Sequence, residues 1–327
     1  MNKPDMAALV DWLQRHRWIW SAAGVLILWL LLSLMTNRFS LSSLSGVAVS
    51  SSFLVLVALG QTAVVTTGRG NIDLSIASVM TLSAYIGLIV IGGADSRLPL
   101  GVLAALALGL AVGAVNAALV VLARIPAIIA TLATGYVLAT ATLLANGIIP
   151  GFAIAPALRT VATGRVADMP IMVIIALAAV VAAAFLFGGS AYGRQLSAVG
   201  QNMRAARLAG VRTGRVVSGA FLLSSVLSSL TGLVLGAYVG GAFLEMGQPY
   251  RLQSIGAVVL GGTLIFGGAA TAWGTLFGSL LLVLIVTTMQ IAGLPPGTQD
   301  MVQGVVIIAV LALAGGTAVR RRRIAAK

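Results

Sequence analysis

The segment Thr66 to Ser75, TTGRGNIDLS, carries the polar groups best suited to chemistry inside an otherwise apolar chain. Gly68 and Gly70 loosen the backbone, and Asn71, Asp73 and Ser75 follow at two-residue spacing. An ionisable side chain in an apolar stretch marks a functional site by default, and glycine-interrupted spans line solute paths in transporters. A carboxamide, a carboxylate and a hydroxyl at one helix break can hold an uncharged polar solute through hydrogen bonds. The competing role for Asp73 is local, as a cap on the helix that follows. A second break, GGTLIFGGAATAWG from Gly261 to Gly274, puts Gly261, Gly262, Gly267 and Gly268 where they can narrow or open a passage.

Other chemistry finds no residues to carry it. A phosphate-binding loop of the Walker type needs a lysine after its glycines, and the only lysines are Lys3 and Lys327, so this chain is expected to have no ATPase site of its own. The single histidine, His16, offers neither a triad nor a zinc site, and the absence of cysteine removes disulfides and thiolate chemistry. The ten methionines lack a thioether-cluster spacing. No metal and no cofactor in this chain are expected.

The elements that position these residues are membrane spans. With 59% hydrophobic and 8% charged residues, the chain reads as an all-α polytopic membrane protein with a single transmembrane domain over residues 1–327. Apolar runs near 18–36, 46–67, 72–92, 99–122, 126–146, 169–188, 216–241, 253–267, 271–291 and 300–317 predict about ten spans. Residues 1–17 read as a cytoplasmic interfacial segment with a short helix over 5–17, 147–168 as an external loop with a short helix, and 318–327 as a basic cytoplasmic tail. The net charge of +13 is explained by topology rather than by nucleic acid, because the arginines sit between apolar runs. With both termini cytoplasmic, Arg15, Arg17, Arg69, Arg124 and the arginines between 193 and 215 and between 320 and 323 all fall inside. Asp95, Asp168, Glu245 and Asp300 then map outside or to outer helix ends.

Small-xxx-small faces at Gly109 with Gly113, at Gly232, Gly236 and Gly240, and at Gly274 with Gly278 are expected to pack helices within the chain, with a dimer seam as the alternative. A weak echo between Ser75-Ile76-Ala77-Ser78-Val79 and Ser254-Ile255-Gly256-Ala257-Val258 suggests an inverted repeat of spans 2 to 5 and 7 to 10.

The longest polar segment, Gly193 to Arg215, contains Arg194, Arg204, Arg207, Arg212 and Arg215 and no acid. Its centre predicts one short helix over Gln201, Asn202, Arg204, Ala205, Ala206, Arg207 and Leu208, stopped by Gly210. Met203, Ala206 and Leu208 or Ala209 make a small apolar face with arginines beside it, suited to docking a separate protein, with the small Ala206 allowing close seating. The plainer reading is that these arginines only fix topology.

The loop GRQLSAVGQNMRAARLAGV, the segment NIDLSIAS, the run SIGAVVLGGTLIFGG with GTLFGSLLLVLI, and ARIPAIIATLATGYVLATATLLANG resemble the permease subunits of ribose-type sugar ABC importers, over about residues 40–315. The resemblance implies that 193–215 carries the coupling helix that docks on an ATP-binding subunit. It also implies a second permease copy or paralogue, a periplasmic sugar-binding protein, ATP and Mg bound by the partner ATPase, and a bacterial inner-membrane location among lipid. It departs from the family's pattern at Tyr250-Arg251-Leu252-Gln253, where the family commonly carries two acids. The expected function is import of a small sugar or similar polar solute, with an ion-coupled secondary transporter as the alternative class.

Overall fold

The computed structural model describes residues 18–36, 41–147, 151–295, 297–306 and 308–309. The expected interfacial segment 1–17 and basic tail 318–327 lie outside the described residues.

The chain is a bundle of helices: α1 (Trp18–Thr36), α2 (Leu41–Thr66), α3 (Ile76–Ile91), α4 (Leu98–Ala117), α5 (Ala127–Asn146), α6 (Pro156–Thr163), α7 (Ile171–Ala184), α8 (Ala191–Gln201), α9 (Met203–Leu208), α10 (Thr213–Val239), α11 (Gln248–Leu260) and α12 (Ala272–Ile291). Residues 297–306 are also helical. Each of α4 and α7 ends in a π turn, at Ala118–Leu122 and Phe185–Gly189. Among the described residues six helices are long and apolar enough to cross a membrane, and Trp18–Leu34 and Ile76–Ile91 are shorter apolar ones. The apolar run expected to span 253–267 is the 13-residue α11, which ends at Leu260 because Gly261 and Gly262 begin a non-helical stretch. The run expected at 300–317 passes beyond the described residues.

The loop between α5 and α7 folds into amphipathic α6, whose Leu158 and Ala162 are buried, and a hairpin. Strands β1 (Arg165–Val166) and β2 (Met169–Pro170) pair antiparallel, Val166 opposite Met169, across a turn with Ala167 and Asp168 at positive φ. That turn chemistry matches the right-handed twist of the strands. The all-α expectation holds apart from this short element.

Helices α2 and α10 form the centre, and the remaining long helices keep broad apolar faces exposed. Lipid gives helices no hydrophobic reason to associate, so contact must come from close backbone approach. A Cβ on Gly109 would stand 2.8 Å from the Cα of Val226, and one on Gly113 2.8 Å from the Cα of Leu222, so α4 lies directly on α10. Gly232 meets Met80 of α3, and Gly274 and Gly278 of α12 meet Gly261 and Ala257, which makes these faces intrachain seams. Gly240 is different: its left-handed φ of 84° caps α10 and nothing lies beside it. The serines of α10 add polar stitching, with Ser229 Oγ 2.8 Å from Ser83 Oγ and Ser228 Oγ donating to Ser224 O at 2.7 Å.

The echo between the halves does not fall at equivalent places. Ser75 is the N-cap of α3, whereas Ser254 lies within α11. What recurs is length: 26, 16 and 20 residues for α2 to α4, then 27, 13 and 20 for α10 to α12.

Candidate functional site

The stretch from Thr67 to Ser75 cannot continue α2 because Gly68, Arg69 and Gly70 take consecutive positive φ values of 76°, 59° and 73°. For glycine this is free, whereas the arginine carries strain of about 1 kcal/mol or more. The chain therefore reverses out of α2, and the Asn71 amide closes the turn by donating from Nδ2 to Thr67 Oγ1 at 2.8 Å.

Asp73 then becomes a buried hub. Its Oδ1 accepts from the Ser75 amide at 3.0 Å and the Ser75 hydroxyl at 2.6 Å, and its Oδ2 accepts from Ser224 Oγ of α10 at 2.8 Å. Asn116 of α4 donates from Nδ2 to Ser75 Oγ at 2.9 Å, and Gln61 of α2 accepts from the Asp73 amide at 3.2 Å. Thr131 of α5 accepts from the Leu74 amide at 3.0 Å. Gln61, Asp73, Ser75, Asn116, Thr131 and Ser224 are all fully buried. Asp73, Leu74 and Ser75 thus tie α2, α4, α5 and α10 to one break through buried hydrogen bonds. Gln61 Nε2 and Asn116 Oδ1 have no partner. The carboxylate bonds Ser75, the N-cap of α3, rather than the first free amides inside that helix, and it is fully buried.

The second break joins the first. Gly267 and Gly268 sit at φ of 87° and 89°, and the Gly268 amide donates to Thr66 O, the last carbonyl of α2, at 3.0 Å. Gln201, the last residue of α8, donates from Nε2 to Gly268 O at 3.3 Å. A Cβ on Gly200 would stand 1.9 Å from Thr66 O and 2.3 Å from Gly268 N, and one on Gly267 2.3 Å from the Cα of Gly68. Three chain segments thus meet backbone to backbone. Gly261 lies apart, against Gly274, and Gly262 follows it at φ of 84°.

The polar segment forms two helices, not one. Ser190 Oγ accepts from the Gly193 amide at 3.0 Å and starts α8, which ends at Gln201. Asn202 is extended at φ of −158°, and its Oδ1 accepts from the amides of Arg204 and Ala205 at 3.1 Å each, restarting the chain as α9. Gly210, at φ of 83°, follows α9 as a left-handed stop. The Tyr192 hydroxyl donates to Val216 O at 3.1 Å, and burial raises its pKa, keeping it a neutral donor.

The expected apolar docking face is divided. Ala206 is buried among Leu196, Val199, Val216 and Val217 of the same chain, with Met203 packed against that cluster. Leu208, by contrast, is 86% exposed, and Arg204, Ala205 and Arg207 are exposed beside it. In a helix of this length Met203 and Ala206 share a side at three-residue spacing, while Leu208 points away from it.

Between this segment, the first break and the start of α5 lies a cavity of about 530 Å³. Arg69, Asn71, Arg124 and Arg207 line it, and none of the acids does. Arg69 donates to Met203 Sδ at 3.3 Å and Arg207 to Thr213 Oγ1 at 3.5 Å. Arg124, like Arg69, takes a positive φ, here 58°.

The structure places Asn71, Asp73 and Ser75 at one break and brings Gln61, Asn116 and Ser224 to it and Gly200 to its junction with the second break, four residues that the sequence did not single out. Gln61 and Asn116 each interrupt an apolar run, a signal that was available. Ser224 is one of several serines in SSVLSS and Gly200 one of 39 glycines, so neither stood out.

Over residues 43–311 the chain matches a family described as branched-chain amino acid transport system / permease component. It is 33% identical over 312 residues to the autoinducer 2 import system permease protein LsrC of Yersinia pseudotuberculosis serotype O:1b, covering 94% of this chain and 87% of that protein. The LsrC proteins of Yersinia pseudotuberculosis serotype O:3 and of Yersinia pestis strain Pestoides F are each 32% identical over the same shares. No solved structure matches.

Proposed function

The chain belongs to the branched-chain amino acid transport system / permease component family, and from that membership we propose that it is the membrane-spanning subunit of an ATP-driven, binding-protein-dependent importer of a small sugar or similar polar solute. In this reading the chain crosses the bacterial inner membrane about ten times with both termini cytoplasmic, and spans 2 to 5 and 7 to 10 form an inverted repeat. The recurring helix lengths of the two halves support the repeat. It pairs with a second permease copy or paralogue, receives solute from a periplasmic binding protein, and leaves ATP and Mg to a partner ATPase. The names of its relatives make autoinducer 2 the first solute to test.

The observation that carries the reading is the junction of Thr66, Gly200 and Gly268. A permease must convert a push from a separate ATPase into movement of its own helices. Leu208 and the exposed arginines of α9 offer the contact, and burying a leucine on docking contributes about 1.5–3 kcal/mol. α9 is joined through Asn202 to Gln201, which bonds the second break directly, while Gly200 touches both breaks. Through Gly200, displacement of α8 and α9 therefore reaches Thr66 and Gly268 by direct backbone approach. Asn71, Asp73 and Ser75 stand downstream of that movement, and Gly261, Gly262, Gly267 and Gly268 are its hinge points. Small solute contact is then made only when the break opens, since a permease that receives and releases its cargo needs no tight site in every state.

The test is reconstitution. The purified chain alone should hydrolyse no ATP above background, and hydrolysis and uptake of labelled solute should emerge together when its ATPase and binding protein are added. Robust hydrolysis by the single chain, or uptake driven by an ion gradient without ATPase, would sink the proposal.

A further inference from the structure

We propose that the cavity among Arg69, Arg124 and Arg207 is a phosphate-binding site occupied by the headgroup of an anionic phospholipid. The three guanidinium groups come from three separate segments: the first break, the turn between α4 and α5, and α9. The donor fork of each guanidinium matches the oxygens of a phosphate. The backbone reinforces them. α5 begins at the cavity wall with Pro126 as its N-cap and no side-chain cap, and Pro126, Ala127 and Ile128 line the cavity, which brings the positive end of the helix dipole to it. Arg69 and Arg124 are also held in the left-handed region that side chains rarely adopt, and such strain collects where a ligand is gripped.

The surroundings select a lipid over a soluble acid. Leu122 is 79% exposed and Ile129 60% exposed, each adjacent in sequence to a residue that lines the cavity, Val121 and Ile128. Exposed apolar residues next to guanidinium groups at the end of a spanning helix are what the boundary between headgroups and acyl chains requires, and basic pockets between spanning helices hold anionic headgroups. The site depends on the chain crossing a membrane and not on the importer reading, so the two can fail separately. If both hold, Arg207 sits on α9 and lipid occupancy bears on the element offered to the ATPase.

The full chain in phosphatidylcholine nanodiscs doped with phosphatidylglycerol, examined by native mass spectrometry after partial delipidation, provides the test. Wild type and Arg194→Gln, an exposed arginine that does not line the cavity, should retain phosphatidylglycerol over phosphatidylcholine. Arg124→Gln and Arg207→Gln should each lower that retention about fivefold, the equivalent of about 1 kcal/mol per basic residue near an anionic surface. Helical circular dichroism and thermal midpoint confirm that each variant is folded, and Arg69→Gln replaces any that is not. Addition of inorganic phosphate separates the sources: retention unchanged supports the lipid, and displacement at millimolar phosphate keeps the oxyanion site but overturns its lipid occupant. Equal retention of both lipids by wild type, or equal phosphatidylglycerol retention by folded variants and wild type, overturns the proposal.

Discussion

Replacing Gly200 with alanine should break the junction between the polar segment 193–215 and the two helix breaks. The new Cβ would lie 1.9 Å from Thr66 O and 2.3 Å from Gly268 N, both backbone atoms that cannot rotate aside. Carbon–oxygen contacts settle near about 3.3 Å, so Thr66 O must retreat by roughly 1.4 Å. A shift of that size breaks the 3.0 Å bond from the Gly268 amide to Thr66 O. Overpacking costs about 1–3 kcal/mol and a buried carbonyl left unpaired about 1–3 kcal/mol more, giving a loss of about 2–6 kcal/mol if the junction resists. If it yields instead, the cost moves from stability to coupling, and ATP hydrolysis by the assembled complex should run with little uptake. Thermal unfolding of the purified chain and the ratio of solute imported to ATP hydrolysed measure the two outcomes. Gly188→Ala is the control, because no atom lies within 4 Å of its Cβ position, and it should change stability by less than about 0.5 kcal/mol. A Gly200→Ala protein equal to that control in both measurements would refute the reasoning.

Asp73→Asn keeps an acceptor for Ser75 and turns an amide toward Ser224, whose hydroxyl can accept, so it should cost about 1 kcal/mol, whereas Asp73→Ala strands buried donors and should cost about 3 kcal/mol in unfolding measurements. Loss of uptake by a stable Asp73→Asn complex would show that the charge itself serves the path. Ala206→Glu places a carboxylate in the chain's own apolar cluster and should lower the amount of folded protein, a different outcome from the loss of docking alone that the sequence suggested. Leu208→Glu, on an exposed position, should leave folding within about 0.5 kcal/mol of wild type while reducing copurification of the ATPase. Unchanged copurification would remove Leu208 from the contact.

The helices were legible because lipid imposes a simple demand: apolar runs such as Thr213 to Val239 must be helical to satisfy their backbone, and glycines at Gly68, Gly70 and Gly210 must interrupt or end them. The three polar residues of NIDLS were legible for the same reason, being costly in an apolar context unless used. Partners across the bundle were not. Asp73 meets Ser224 across 151 positions, a pairing fixed by how closely Gly60 lets α2 approach α10 and by nothing local to either residue. The faces of α9 were equally hidden: its composition permits Ala206 to point either way, and only the neighbouring Val199, Val216 and Val217 turn it inward and leave Leu208 out. The sequence by itself determined where the chain must be helical, where it must break and which polar groups lie at the break, since these follow from local backbone preference and transfer from water. Only the tertiary structure decided that Thr66, Gly200 and Gly268 share one junction and that three distant arginines share one cavity, because both are products of close approach between segments whose separation in sequence carries no information about distance in space.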